Sequence, residues 1–269
     1  MHKIALSQAT LDRMKARMAK LHPFDAIDPR KTALLVIDMQ NYFVKEGHQS
    51  EVPLAREIVP NINRLAAELR HRGGHVVWIR NGTTDTRESW STYHDYLQTP
   101  ERAQRRYKAM DVGEDGYKYW HLNDIRPEDA QITKKRYSAF IQGSSNVERH
   151  LRTRGIDTVL IAGTATNVCC ESSARDAMML NFKTIMVADG LATHSDDEHN
   201  ATLSNFYGQF GDVQSVDEVV QSLDRGEQTR AAAAPTCDRQ RAHAGHAGAA
   251  SADDFAELTP TLSDPPASG

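Results

Sequence analysis

GIDTVLIAGTATNVCCESSARDAMML, residues 155–180, decides how this chain folds. Thr158 to Ala162 (TVLIA) is a short, unbroken apolar run, the pattern of a strand buried on both faces. The turn GTATNV follows, and Thr166 to Leu180 then reads as a helix. A buried strand that turns at once into a helix is the repeating half of a βαβ unit.

The same alternation extends outward. Downstream, Lys183 to Ala188 (KTIMVA) is another strand and Ser195 to about Gln209 a helix. Val213 and Val216 border a short last strand, before a helix near Val216 to Leu223. Upstream, Asn146 to Arg154 reads as a helix stopped by Gly155, and Gln131 to Tyr137 as a strand. Thr32 to Asp38 (TALLVID) and His75 to Arg80 (HVVWIR) are two further apolar runs. Between them, Ile58, Ile62, Leu65 and Leu69 share one helical face over Val52 to Arg72; Pro60 kinks that helix or marks its start, and Gly73 and Gly74 stop it. Near the start, Leu11, Met14, Met18 and Leu21 form a helical stripe over residues 6–21, ready to pack on the body or on a neighbouring subunit. Strands alternating with helices pair in parallel through right-handed crossovers. The expected fold is therefore an α/β protein, a three-layer α/β/α sandwich around a mainly parallel, Rossmann-like sheet.

Two stretches break the rhythm. Residues 81–130 read as an irregular insertion holding Trp90, Tyr93, Tyr96, Tyr107, Tyr117, Tyr119 and Trp120, either a lid or subunit contact or simply a packed excursion. Its basic run Arg102 to Lys108 (RAQRRYK) reads as one exposed helix face. Residues 226–269 are rich in Ala, Ser, Pro and charge and poor in large apolar side chains, so they are expected to be a disordered tail behind a domain of residues 1–225.

Composition narrows the function classes. The chain has 269 residues and a net charge of −4, with no basic stripe to bind nucleic acid. No apolar stretch of about 18 residues suggests a membrane span, and no leader pattern opens the sequence. The cysteines are Cys169, Cys170 and Cys237, an odd count with two adjacent, which makes no disulfide framework and points to a reducing, cytoplasmic setting. No C-x-x-C or H-E-x-x-H spacing occurs, so neither a metal nor another cofactor is expected.

In open α/β sheets ligands bind at the carboxyl ends of the strands. Three chemically capable residues lie there: Asp38 ends the first apolar run, Lys134 sits in ITKKRYSAF, and Cys169 follows TVLIA at a helix start. A thiol reacts as thiolate and needs a lowered pKa, which a helix N-terminus and a lysine favour, with a carboxylate to take the proton. Base, stabiliser and nucleophile thus form a coherent set, one that predicts fast alkylation near neutral pH. Taken singly, each has a plainer reading: Cys169 a small buried hydrophobe, Asp38 a helix cap, Lys134 a surface lysine.

TALLVIDMQNYF, KKRYSAF and GIDTVLIAGTATNVCCESSARDAMML resemble, in order and spacing, the three signature blocks of the isochorismatase-like cysteine hydrolases, over roughly residues 28–224. The GxxTNxC core is the most specific of them. The resemblance implies a catalytic triad of Asp38, Lys134 and Cys169, with Lys134 rather than Lys135 because it precedes Arg136 by two positions. It further implies a cis peptide at Thr164–Ala165 and an oxyanion hole from the N–H groups of Ala165 and Cys169. The nicotinamidase branch carries an Asp-x-His metal pair where this chain reads RNGTTDT, residues 80–86, so no catalytic metal is implied. The position after Asn41, often acidic in the family, is Tyr42.

The implied activity is a cysteine amidohydrolase of the ureide branch, which includes biuret, ureidoacrylate and N-carbamoylsarcosine amidohydrolases, acting on a small amide or ureide and commonly a homodimer or homotetramer. Gln209 falls where biuret-type enzymes place a substrate-binding glutamine, though a surface glutamine at a helix end fits it too. Asn41, Trp78, Arg80 and Tyr207 are further pocket candidates, Arg80 either for a substrate carboxylate or for a structural ion pair. The run His194 to His199 (HSDDEH) looks like a metal site, but Ser195 as N-cap and Glu198 as its capping-box partner explain it more simply. A hydrolase of a larger amide or other acyl substrate on the same triad, a non-catalytic binding member of the fold, and a redox sensor built on Cys169 and Cys170 are the competing readings.

Overall fold

TALLVI, residues 32–37, is buried at every position, which a strand achieves only with helices on both sides. In a computed structural model, which describes residues 1–233, that run is β1 (Thr32–Ile37). It follows α1 (Gln8–Met18) and precedes α2 (Asn41–Val44), α3 (Val59–His71) and β2 (His75–Asn81). Next come α4 (Thr86–Ser89), α5 (Pro100–Ala109), β3 (Ala130–Lys134), α6 (Val147–Arg152) and β4 (Thr158–Thr164). The chain continues through α7 (Glu171–Met179), β5 (Lys183–Ala192), α8 (Asp196–Gln209), β6 (Asp212–Gln214) and α9 (Val216–Ala233).

The strands form one six-stranded sheet in the order β3-β2-β1-β4-β5-β6, and every pair is parallel. Side-chain alternation divides the core. Leu35, Ile37, Ile79, Ile132 and Ile161 face α1, α6, α7 and α8. Leu34, Val36, Trp78, Leu160 and Ile185 face α3 and α9. This is the three-layer sandwich expected from the sequence. The order reverses between β1 and β4, so the binding crevice of such a sheet lies at their carboxyl ends. Gly163, at φ +116°, allows the two strands to meet there: a Cβ on it would sit 2.0 Å from the Ile37 carbonyl oxygen.

Several boundaries differ from the sequence reading. β3 ends at Lys134, not Tyr137, because the chain then loops back on itself: Lys135 N donates to Ser144 O at 3.0 Å instead of to a neighbouring strand. Pro60 lies in the first turn of α3 and marks its start. Residues 81–130 are not irregular throughout, since α5 and shorter turns order them. The helix read as ending near Leu223 runs to Ala233, and Gly226 packs so closely on Ile27 that a Cβ would lie 1.9 Å from its carbonyl oxygen. The packed body therefore passes the predicted 225/226 boundary. The rest of the predicted tail, residues 234–269 with Cys237, lies outside the described residues. Among the described residues, no helix is long and apolar enough to cross a membrane.

His22 ties the segment after α1 to β6 and α9. Its Nδ1 lies 2.9 Å from Asp212 Oδ1, and its Nε2 3.6 Å from Glu218 Oε1. Hydrogen bonding to Asp212, then to Glu218, raises its pKa to about 9. His22 in turn holds Glu218 down at about 2. A raised histidine stabilises fully below its unfolded value of roughly 6.5, and that contribution is lost as pH rises through the folded value. We expect His22→Gln to cost about 1–2 kcal/mol more near pH 6 than near pH 9.5, allowing for the partial exposure of the pair. Urea unfolding at the two pH values measures this; an equal cost at both would show that the charge of His22 contributes nothing.

Candidate active site

Asp38 follows β1 directly. Its backbone is in the left-handed region, at φ +56°, and its N–H donates to Ile79 O at 2.8 Å. Lys134 ends β3, two strands away, a spacing of roughly 9–10 Å. Its long stem spans that gap above the end of β2, where Asn81 is its register partner. Lys134 shares its sheet face with Ile132, while Lys135 points the other way, partly exposed, 3.5 Å from Asp85. Lys134 Nζ reaches within 2.8 Å of Asp38 Oδ2 and donates to Arg136 O at 3.0 Å. Both side chains are wholly buried. The Lys134 contact is an ion pair rather than a directed hydrogen bond, and neither Asp38 oxygen accepts a well-aligned one from the described residues. The carboxylate therefore keeps capacity to take a proton.

β4 delivers the third group. The peptide Thr164–Ala165 is cis, and Ala165 O accepts from Val168 N at 3.1 Å and Cys170 N at 3.2 Å. The widened turn Thr166–Cys170 that results leads into α7. It carries Cys169, 5% exposed, with its thiol within hydrogen-bonding reach of Asp38 and Lys134. Ser173 Oγ fixes this turn by donating to Cys169 O at 2.7 Å while accepting from Ala139 N at 3.0 Å. Cys170 is fully buried in the apolar core beside it.

The electrostatics differ from the expectation of a lowered thiol pKa. Burial, then the charge of Asp38, pushes Cys169 up to about 12, and Lys134 only partly opposes this. Burial also works against the charge of Lys134, but Asp38 and Cys169 outweigh it and raise the lysine. The resting thiol thus holds its proton, and a base must remove it when a substrate arrives. Iodoacetamide should modify Cys169 slowly near pH 7, with a rate still climbing above about pH 9. A rate that levels off below pH 7, measured by mass spectrometry, would contradict this.

The structure does not bring the weaker sequence candidates to this cluster. Trp78 and Arg80 have the wrong strand parity. Trp78 is buried on the α3 face with Nε1 on Asp129, and Arg80 lies between the Tyr117 and Tyr119 rings with Nη2 on Gln131. Asn41 turns outward to Asp115. Tyr207 and Gln209 are at the far end of α8, which runs antiparallel to the strands and so carries them to the opposite edge of the sheet. There Tyr207 Oη donates to Leu21 O, and Gln209 meets Arg17. Ser195 caps α8 as expected, accepting from Glu198 N at 3.2 Å, and no metal-holding cluster occurs among the described residues.

Other residues enter beyond the site candidates named from the sequence. Gln40 is buried and clamps the end of β2, accepting from Asn81 N at 2.7 Å and donating to Asn81 O at 3.2 Å. His199 Nδ1 bonds Thr166 Oγ1 at 3.0 Å behind the cysteine turn, and His2 stacks on its ring at 4.3 Å. Burial pushes His199 down to about 4, so it is neutral near pH 7. Trp90 stacks on Tyr93 at 4.5 Å and meets Tyr137 edge-on at 5.0 Å. Burial first, then Tyr93 and Cys169, raises the Tyr137 hydroxyl, which links these rings to the cysteine turn.

Fold and site define a class: an all-parallel α/β protein with a buried Asp–Lys–Cys cluster at the switch point of its sheet. Residues 32–218 match the isochorismatase domain, and the chain belongs to the isochorismatase family of hydrolases. Isochorismatase family protein YwoC of Bacillus subtilis is 30% identical over 197 residues, covering 73% of this chain and 96% of its own. Ureidoacrylate amidohydrolase RutB of Klebsiella pneumoniae is 32% identical over 208 residues, covering 70% and 86%. Among solved structures, N-carbamoylsarcosine amidase from Thermoplasma acidophilum superposes with a TM-score of 0.55 at 27% identity, covering 70% of this chain and 97% of that one. A cysteine hydrolase from Pseudomonas syringae reaches a TM-score of 0.66 at 24% identity, covering 74% and 95%, a likeness of fold.

Proposed function

We propose that this chain is a cysteine-dependent amidohydrolase that cleaves a C–N bond of a small amide or ureide. The observation that carries the reading is the convergence of Asp38, Lys134 and Cys169. They come from the carboxyl ends of three strands, are almost completely buried, and place a carboxylate ion-paired to Lys134 beside the Cys169 thiol. Burying an acid, a base and a thiol together is costly for stability, as expected where chemistry requires it. The amidohydrolase and amidase named among the relatives support the bond class.

In the proposed route, Asp38 accepts the thiol proton as sulfur attacks the substrate carbonyl carbon. The oxyanion accepts hydrogen bonds from the N–H groups of Ala165 and Cys169. The C–N bond breaks, Asp38 gives its proton to the departing nitrogen, and a thioester (a thiocarbamate for a ureide) remains on Cys169. Asp38 next accepts a proton from the attacking water, and collapse of the intermediate returns it to sulfur. Lys134 stays charged throughout, stabilising the thiolate and holding Asp38 in place. The route asks for no metal or cofactor.

Ammonia release from biuret, ureidoacrylate, N-carbamoylsarcosine, simple carboxamides and nicotinamide tests the reading. Release from a ureide or simple amide, lost in Cys169→Ala, is expected. Release that survives in the variant would remove Cys169 from the chemistry.

A further inference from the structure

Arg106 is a cation buried without an acid. α5 turns it inward beside Ala103, leaving it 4% exposed. No carboxylate of the described residues lies within ion-pair distance, and its Nε has no hydrogen-bond partner. The half-buried Arg70 and Arg72, by contrast, meet acids: Arg70 bonds Asp124 and Asp129, and Arg72 bonds Glu68 and Asp224. Arg106 has only partial compensation. Its Nη2 donates to Asn81 Oδ1 at 3.0 Å, and its guanidinium carbon lies 5.5 and 5.3 Å from the Tyr42 and Tyr93 rings. A guanidinium keeps its charge, and a buried charge is stable only when paired.

Its place in the fold says where a counter-ion would come from. Asn81 Nδ2 donates to Arg136 O at 3.4 Å, and the same carbonyl accepts from Lys134 Nζ at 3.0 Å. Arg106 is thus joined to the Asp38–Lys134 pair through one side chain and one carbonyl. Tyr93, which flanks the guanidinium, lies 5.6 Å from Tyr137, and Tyr137 in turn couples electrostatically to Cys169. The cation is thus linked toward the thiol by two rings as well as by hydrogen bonds.

We propose that Arg106 determines specificity by pairing with a carboxylate that the substrate carries in addition to its scissile amide or ureide. Planar, bidentate recognition of carboxylates is what a guanidinium does best. The proposal rests on the amidohydrolase reading of Cys169 for its substrate class, but its test does not need turnover.

The test compares Cys169 modification by iodoacetate, 3-iodopropionate and 4-iodobutyrate with that by their primary amides, each rate normalised to glutathione. A local cation favours the acids. The normalised acid-to-amide ratio should reach about tenfold at one chain length. It should fall about tenfold in Arg106→Met, be partly kept in Arg106→Lys, and leave the amide rates unchanged. A purely structural arginine would shift both reagent classes together. If Arg106→Met does not fold, the wild-type ratio and Arg106→Lys decide. A wild-type ratio of one or less at every length, or a ratio unchanged in folded Arg106→Met, overturns the proposal.

On a hydrolysed substrate pair, such as a carbamoyl amino acid and its methyl ester, Arg106→Met should raise KM for the acid about 10²-fold and leave kcat and the ester little changed. If no amide or ureide is hydrolysed at all, the amidohydrolase reading fails on its own, and the alkylation ratio still judges Arg106.

Discussion

Cys169→Ala is expected to lower turnover by about 10⁴-fold or more while the protein stays folded. The loss is large because every proposed bond change passes through the sulfur, and the adjacent Cys170 cannot replace it. Cys170 is fully buried in the apolar core, and burial pushes its thiol well above the ordinary range. The structural cost is small because only one sulfur atom leaves a wall of the core, worth about 1 kcal/mol. Steady-state kinetics on any substrate found in the panel, beside a thermal melt, reads both effects. Activity within tenfold of wild type in a folded variant would end the case for a nucleophilic cysteine.

Lys134→Met should be the most damaging single change to stability. It leaves Asp38 as an unpaired charge with no solvent contact, a situation that costs about 3–5 kcal/mol. That is a large part of the 5–15 kcal/mol that ordinarily holds a domain together. The pH dependence gives a specific signature. In the wild type the pair's lysine has a raised pKa, so its contribution is complete below roughly 10.5 and is lost as pH rises through the folded value. In Lys134→Met the isolated carboxylate is driven to hold a proton, so stability should recover as pH falls. The double variant Asp38→Asn/Lys134→Met should regain most of the stability near neutral pH and none of the activity. Urea unfolding of the four proteins forms the cycle; a double variant no more stable than Lys134→Met would show that packing, not charge, sets the cost.

Much of this was legible in the sequence, for definite reasons. Strands buried on both faces read as unbroken apolar runs, so TALLVI, HVVWI and TVLIA announced a parallel sheet with helices on both sides. Asp38 and Cys169 stood where such a sheet puts ligand groups, and Lys134 was picked out from Lys135 by motif spacing. What failed needed three dimensions. Gln209 matched a position along the chain, but an antiparallel helix returns it to the wrong edge of the sheet. Trp78 and Arg80 share a parity opposite to that of Ile79 and Asn81, a signal present in the sequence and not used. KRY, residues 135–137, looks strand-like because nothing local shows that Lys135 N will bond Ser144 O, nine positions on, instead of a neighbouring strand. Arg106 hid in RAQRRYK, read as one exposed face; yet Ala103, Arg106 and Met110 recur at helical spacing, and all three are buried.

The span of Lys134 across the end of β2 also bears on how the protein is made. Asp38 and Cys169 are 131 positions apart in the chain, and Lys134 can neutralise Asp38 only after β2 has docked between their strands. Contacts so distant along the chain form late in folding. Until they form, a nascent sheet that excluded water from Asp38 would hold an uncompensated charge, so desolvating that corner waits for the full strand order. The residues proposed for chemistry thus act as a checkpoint on assembly, penalising incomplete or misregistered sheets before a finished molecule emerges.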